Sequence, residues 1–290
     1  MSELPPVYDE LCLTGIRELP PELFQLGHLS KLSLVWYQMP TLPAEIGLLT
    51  QLKKLCIGNV LTSLPKEIGQ LSCLKRLYLQ NNHLESLPIE FEKLIHLKFL
   101  FLNRNRFSQF PIVVCQLVNL KRLWFNNNYL NELPAEIGRL TKLRALDVEL
   151  NKLTQLPAAI GQLCNLTGLF VGGNQLTTLP TQLANLSALQ FIGLSDNPLR
   201  SIPIRSIPIE LGRKKCSVYT GKLQCSLYAD SFWRSIFKIA QAIQRWPRRT
   251  RSSTRALVRY AFLTLRWLTS TLGIYLPDHI AFEIIKQMCK

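Results

Sequence analysis

Residues Leu74 to Leu94 read LKRLYLQNNHLESLPIEFEKL. Leu77 and Leu79 alternate with Arg76, Tyr78 and Gln80, which is the period-two pattern of a short half-buried strand. The asparagine, leucines and proline that follow fit neither a longer strand nor a long helix. The same arrangement recurs along the chain. An apolar residue followed by proline stands at Pro20, Pro43, Pro65, Pro88, Pro111, Pro134, Pro157, Pro180 and Pro203, at intervals of 23, 22 and then 23 six times. Six residues before each of the last seven prolines is an asparagine: Asn59, Asn82, Asn105, Asn128, Asn151, Asn174 and Asn197.

A period of this length means stacked supersecondary units. One unit cannot bury its own leucines, so neighbours must stack into a solenoid. Each strand points its leucines inward, and the apolar residues after it carry the chain back along the other side. The asparagine leaves the strand, where its amide can both donate to and accept from backbone groups of adjacent turns that would otherwise be buried and unpaired. Its expected role is structural. Thr14 and Tyr37 occupy the asparagine slots of the first two repeats, and the interval around LCIGNV is one residue short before Asn59, so irregular N-terminal turns are expected. At the other end Arg200 to Ile204 is copied as Arg205 to Ile209, which ends the register.

This pattern resembles the leucine-rich repeat family, L-x-x-L-x-L-x-x-N-x-L-x-x-L-P-x-x-I-G-x-L, in its 23-residue LPxEIG form, the Ras-suppressor-like class, over about residues 11 to 211. The resemblance implies an α/β fold: a curved solenoid of about nine repeats over residues 1–211 with a parallel concave sheet. A small all-helical C-terminal domain is expected over residues 212–290.

Residues flanking the strand leucines project from the concave face. The position between the two leucines reads Ser33, Cys56, Tyr78, Phe101, Trp124, Asp147, Phe170 and Gly193; two residues earlier stand Lys31, Lys54, Arg76, Phe99, Arg122, Ala145, Gly168 and Phe191; two residues later come Gln80, Asn103, Asn126 and Glu149. Exposed aromatic residues are costly unless something covers them, and aromatics with arginine dominate protein-binding hot spots. The candidate protein-binding residues are therefore Arg76, Tyr78, Phe99, Phe101, Arg122, Trp124, Asp147, Glu149 and Phe170. The competing reading has the aromatics packed on one another or under the C-terminal segment. Replacing Trp124 and Phe101 together by alanine is expected to abolish binding without moving the thermal midpoint.

Charge divides the chain. The whole protein of 290 residues carries 34 Lys+Arg and 19 Asp+Glu, net +15. Residues 212–290 hold 15 and 3 of these, net +12, leaving 19 and 16, net +3, for residues 1–211. Near-neutral repeats with Asp147 and Glu149 in the groove disfavour nucleic acid, although arginine beside aromatics is the chemistry of single-strand binding. The eight cysteines are scattered with no C-x-x-C pair, the reading of free thiols. His28, His83, His96 and His279 pair with no ligand-spaced residue, so no metal site or cofactor is expected. No P-loop, nucleophile elbow or carboxylate pair appears, and a nonenzymatic protein is expected. The N-terminus MSELPPVYDE lacks the features of a secretory signal, which predicts a cytoplasmic protein.

In the basic C-terminal segment, Asp230 or Ser231 can cap a helix to Trp246, Pro247 ends it, and a second helix should start near Ser252 to Thr254 with Arg255, Arg259 and Arg266 in a stripe. Three readings stand side by side there. The helices form a cap or a helical partner-binding module; or, with Trp233, Trp246 and Trp267, they lie on an anionic membrane surface; or they recruit ligase machinery. For the last, Leu257 to Arg266 (LVRYAFLTLR) is similar to the elongin-binding box of a SOCS box, and Leu276-Pro277 with Ile280, Ile284 and Ile285 resembles the box that recruits a cullin. That resemblance implies a substrate adaptor of a ubiquitin ligase with elongin and cullin as partners through residues 255–290. Regular LPxEIG repeats with a helical extension also resemble effectors that intracellular bacteria deliver into the host cytosol without a Sec signal, where they inhibit or recruit another protein.

Overall fold

The computed structural model describes residues 9–15, 18–37, 40–199 and 217–219. Ten parallel strands form one open sheet in strict sequence order. They are β1 (Glu10–Thr14), β2 (Lys31–Tyr37), β3 (Lys54–Asn59), β4 (Arg76–Tyr78), β5 (Phe99–Phe101), β6 (Arg122–Trp124), β7 (Ala145–Asp147), β8 (Gly168–Phe170), β9 (Phe191–Gly193) and β10 (Ser217–Tyr219). Every strand from β4 onward has three residues. One inward leucine per strand needs no more, and Leu55, Leu77, Leu100, Leu123, Leu146 and Leu169 sit in register and fully buried. Each contributes about 2–3 kcal/mol of apolar burial.

The return path of each repeat is a single 3-10 turn, not a longer helix. Pro134 shows why: its φ is fixed at −70°, its ψ of 155° is extended, and its carbonyl accepts from the Ile137 N–H at 3.1 Å. Proline needs no hydrogen-bond partner of its own there, and the buried isoleucine that follows locks the turn onto the core. The glycine after that isoleucine sets the spacing of the turns. A Cβ on Gly69 would lie 2.4 Å from the Glu90 carbonyl oxygen, and one on Gly161 2.4 Å from that of Gln182.

Four of the described turns break this rule, with Phe24, Glu92, Cys115 and Ala184 in the glycine slot. The turn Ile112–Gln116 packs less extensively on Ile89–Lys93 and on Ala135–Arg139 than Lys66–Gln70 packs on its two neighbours. The core beneath them is enriched in phenylalanine. Phe91, Phe107 and Phe125 are fully buried, and Phe125 lies 5.0 Å from Phe107 and 5.3 Å from Phe110 between ring centroids.

The asparagine ladder forms as the sequence implies. Asn128 Nδ2 donates to the Leu102 and Phe125 carbonyls at 3.0 Å each, while its Oδ1 accepts from the Phe107 N–H at 3.1 Å. Asn82, Asn105, Asn151, Asn174 and Asn197 repeat the scheme, and all six are buried. The short interval before Asn59 appears as a bulge: the β2–β3 register slips between Leu34 and Tyr37. At the other end the sheet runs past Leu211, since β10 pairs with β9. The helices expected at 230–246 and after 252, and the ligase-box residues 257–285, lie outside the described residues.

Candidate functional site

Strands β4 to β8 bring eight of the nine candidate residues onto one sheet face, and Glu149 is the second residue past the end of β7. The register places Arg76, Phe99 and Arg122 side by side, and beside them the row Tyr78, Phe101, Trp124, Asp147 and Phe170. Regular three-residue strands with alternating sides produce both rows without further help.

The aromatic rings are already packed on one another. Tyr78 stacks on Phe101 at 4.6 Å and 8°, and Phe101 meets Trp124 edge-on at 4.7 Å and 81°. Phe101 is consequently buried, at 9% exposure, while Trp124 at 38% is the open end of the column. Removing Phe101 would therefore leave a hole between two rings, so the Trp124/Phe101 double replacement expected from sequence to spare stability cannot do so. Trp124 alone is the clean probe.

Basic side chains lie along the same surface. The Arg76 and Arg122 guanidinium groups sit 5.4 and 5.8 Å from the Phe99 ring centre, and Lys54 Nζ lies 5.8 Å from that of Tyr78. These are cation–π distances, and they hold the charges in place without neutralising them. Across β6 the sign changes. Burial pushes the Asp147 carboxyl up to about 6, with the nearby Glu149 charge adding to the rise and a hydrogen bond from the Glu149 backbone N–H to Oδ1 at 3.1 Å opposing it. Burial also raises Glu149.

Glu149 Oε1 rests over a floor of glycines. A Cβ on Gly172 or Gly193 would each come within 3.1 Å of it. Phe170 covers Gly168, whose Cβ would lie 3.0 Å from the ring. Along the neighbouring row the buried side-chain oxygens of Gln80, Asn103 and Asn126 have no hydrogen-bond donor.

Leu150 was not evident from the columns. It adopts φ 53° and is 54% exposed, in a slot that other repeats fill with Asn81, Arg104, Asn127, Gly173 or Asp196. A leucine there carries the cost of a left-handed backbone that asparagine or glycine largely avoids. The signal was present one residue before each ladder asparagine. Phe191, at 42% exposure, extends the first row at its far end.

Among the described residues no group of three or more His, Cys, Asp or Glu side chains could hold a metal ion. No described helix is long and apolar enough to cross a membrane. The Cys115 thiol, buried in the core, is pushed up to about 12 by desolvation and is no nucleophile at neutral pH.

A repeat solenoid presenting one face of a parallel sheet is the class that these features define. The family description for a leucine-rich repeat region matches residues 111–202, and that for a single leucine-rich repeat matches residues 73–94. Among solved structures, a leucine-rich repeat protein of Leptospira interrogans is 38% identical, with 68% of this chain and 51% of that one covered at a TM-score of 0.66. The leucine-rich repeat ectodomain of the Arabidopsis thaliana membrane receptor kinase GASSHO1/SCHENGEN3, in complex with CASPARIAN STRIP INTEGRITY FACTOR 2, is 29% identical, with 73% and 26% covered at a TM-score of 0.58. The chain thus spans about half the length of the first and a quarter of the second. No curated protein matches it. The protein belongs to the leucine-rich repeat family.

Proposed function

We propose that the protein is a nonenzymatic interaction module that binds a protein partner on the face formed by β4 to β8 and thereby inhibits or recruits it. One observation carries this reading: Trp124, half-exposed, ends a pre-stacked aromatic column flanked by Arg76 and Arg122 on one side and by Asp147 and Glu149 on the other. Pre-packed rings lose little entropy on binding. A structural neighbour with the same repeat architecture was solved in complex with another protein factor, which supports the same use here. The setting we propose is the host cytosol, with the protein acting as an effector of an intracellular bacterium.

Expression of the full chain and its Trp124→Ala variant in a eukaryotic cell, followed by affinity purification, tests the reading. A partner held by the wild type and lost from the variant supports it; equal recovery refutes it. The ligase-adaptor alternative rests on Leu257 to Ile285, and capture of elongin B and C that is lost on Leu257→Ala would support it. The membrane alternative rests on the basic composition and tryptophans of residues 212–290, and failure to sediment with phosphatidylserine vesicles at low salt removes it.

A further inference from the structure

We infer that the partner seats on this face as a segment of reversed polarity, with a carboxylate side chain over Arg76 and Arg122 and a lysine or arginine side chain over Asp147 and Glu149, between Trp124 and Phe170. This rests on the proposed protein-binding use of the face and goes on to state the chemistry of what binds.

The charges on the face are separated and unspent. Among the described residues the only ion pair is Lys31 with Glu10, at the far N-terminal edge. Lys54, Arg76 and Arg122 lie against aromatic rings. On the other side of Trp124, Asp147 and Glu149 are drawn partly out of water, and no cation among the described residues pairs with them. Carboxylates in that state cost free energy unless they are paired, and a cation arriving from a partner offsets that cost.

The surroundings of Asp147 suit an alkyl-stemmed cation. The register puts Trp124 on one side of it and Phe170 on the other, about 4.8 Å away each. Aromatic faces attract lysine and arginine heads and accept their apolar stems. A metal ion is a poorer match, since among the described residues no third ligand joins the two carboxylates. A nucleic-acid phosphate chain that used Arg76 and Arg122 would be repelled as it crossed β7.

The geometry also sets a spacing. Phe99, flanked by the two arginines, lies on β5 in register with Ala145 of β7, and Asp147 is two residues further along that strand, so Phe99 and Asp147 are about 12 Å apart. An extended chain covers that in about three residues. The partner segment should therefore present an acidic and a basic side chain about three residues apart, with an apolar side chain against Trp124 between them.

The test is selection of a displayed library of random 12-residue peptides against the full chain, followed by affinity measurement with synthetic copies. The selected peptides should share an acidic residue, an apolar residue and a basic residue at that spacing. Asp147→Asn with Glu149→Gln should weaken them about tenfold or more, as should Arg76→Gln with Arg122→Gln. Replacing the peptide's basic residue by glutamine should cost about tenfold with the wild type and under about twofold with the Asp147→Asn, Glu149→Gln variant, the mark of a direct pair. Additive losses, selected peptides of one charge sign, or no binding peptide at all overturn the inference. Peptides whose binding Trp124→Ala leaves unchanged would overturn the proposed binding face itself, whereas loss on Trp124→Ala with no effect of the charge variants overturns only the polarity.

Discussion

Asn128→Ala removes four hydrogen bonds, yet its cost is set by one of them. The Leu102 carbonyl also accepts from Asn105 Nδ2 at 3.0 Å, the Phe125 carbonyl from Asn151 Nδ2 at 3.1 Å and the Asn126 carbonyl from the Arg104 N–H at 2.9 Å, so all three keep a partner in the variant. The Phe107 N–H has only Asn128 Oδ1 and is left buried and unpaired. A buried orphan donor costs about 1–3 kcal/mol, and that is the expected loss. Asn128→Asp separates this account from a simple loss of volume. An aspartate can still accept from Phe107, but its other oxygen would face two carbonyl oxygens that now receive a donor. At pH 7 it should be less stable than Asn128→Ala. Its carboxyl would be pushed above the usual 3.9 or so. The stability that depends on the proton is then fully present below that ordinary value and lost as pH rises through the higher folded value, so the variant should recover on acidification. Urea melts of the full chain from pH 4 to 8 measure both. A loss within about 0.5 kcal/mol for alanine, or an aspartate variant as stable as the alanine one at pH 7, would refute the reasoning.

Asp147→Asn keeps the acceptor for the Glu149 N–H and removes the charge. Because the wild-type carboxyl is held up at about 6, its protonated form stabilises the fold fully below about pH 4, and that contribution is lost as pH rises through 6. The variant should therefore gain on the wild type across this window, by about 1–3 kcal/mol above it; a difference independent of pH in chemical denaturation would contradict the burial of Asp147. Gly161→Ala places a Cβ against the Gln182 carbonyl and should cost about 1–3 kcal/mol, while Gly27→Ala, with nothing within 4 Å, should be neutral or stabilising. Equal thermal midpoints for the two variants would remove the glycine-spacing argument. Leu150→Asn should raise stability by about 0.5–1 kcal/mol by relieving the left-handed leucine; a fall in the midpoint would show that the leucine packs inward.

Strand, turn and ladder were legible because each repeat states them again: Leu123, Pro134 and Asn128 recur at fixed offsets, and stacking leaves one way to bury them. The face was legible for the same reason, since alternation assigns Arg76, Tyr78 and Trp124 to one side. What the pattern did not carry is how the side chains settle among themselves. Phe101 reads like its neighbours in sequence but is enclosed by Tyr78 and Trp124, a matter of ring packing. Leu150 reads as an ordinary loop residue, and only the backbone angle shows its strain. The phenylalanines Phe91, Phe107 and Phe125 are visible in the repeats, but that Phe125 packs on Phe107 and Phe110 in the core depends on side-chain volumes that spacing does not encode.

The central claim is that Trp124 at the open end of the column anchors a protein partner. It is tested most directly by measuring the affinity of the purified partner for the full chain and for Trp124→Ala, alongside the thermal midpoint of each. A loss of about 2 kcal/mol or more, roughly thirtyfold in Kd, with a midpoint changed by no more than about 2 °C, is the predicted result. An unchanged Kd, or a lost affinity accompanied by a collapse of the fold, would contradict it.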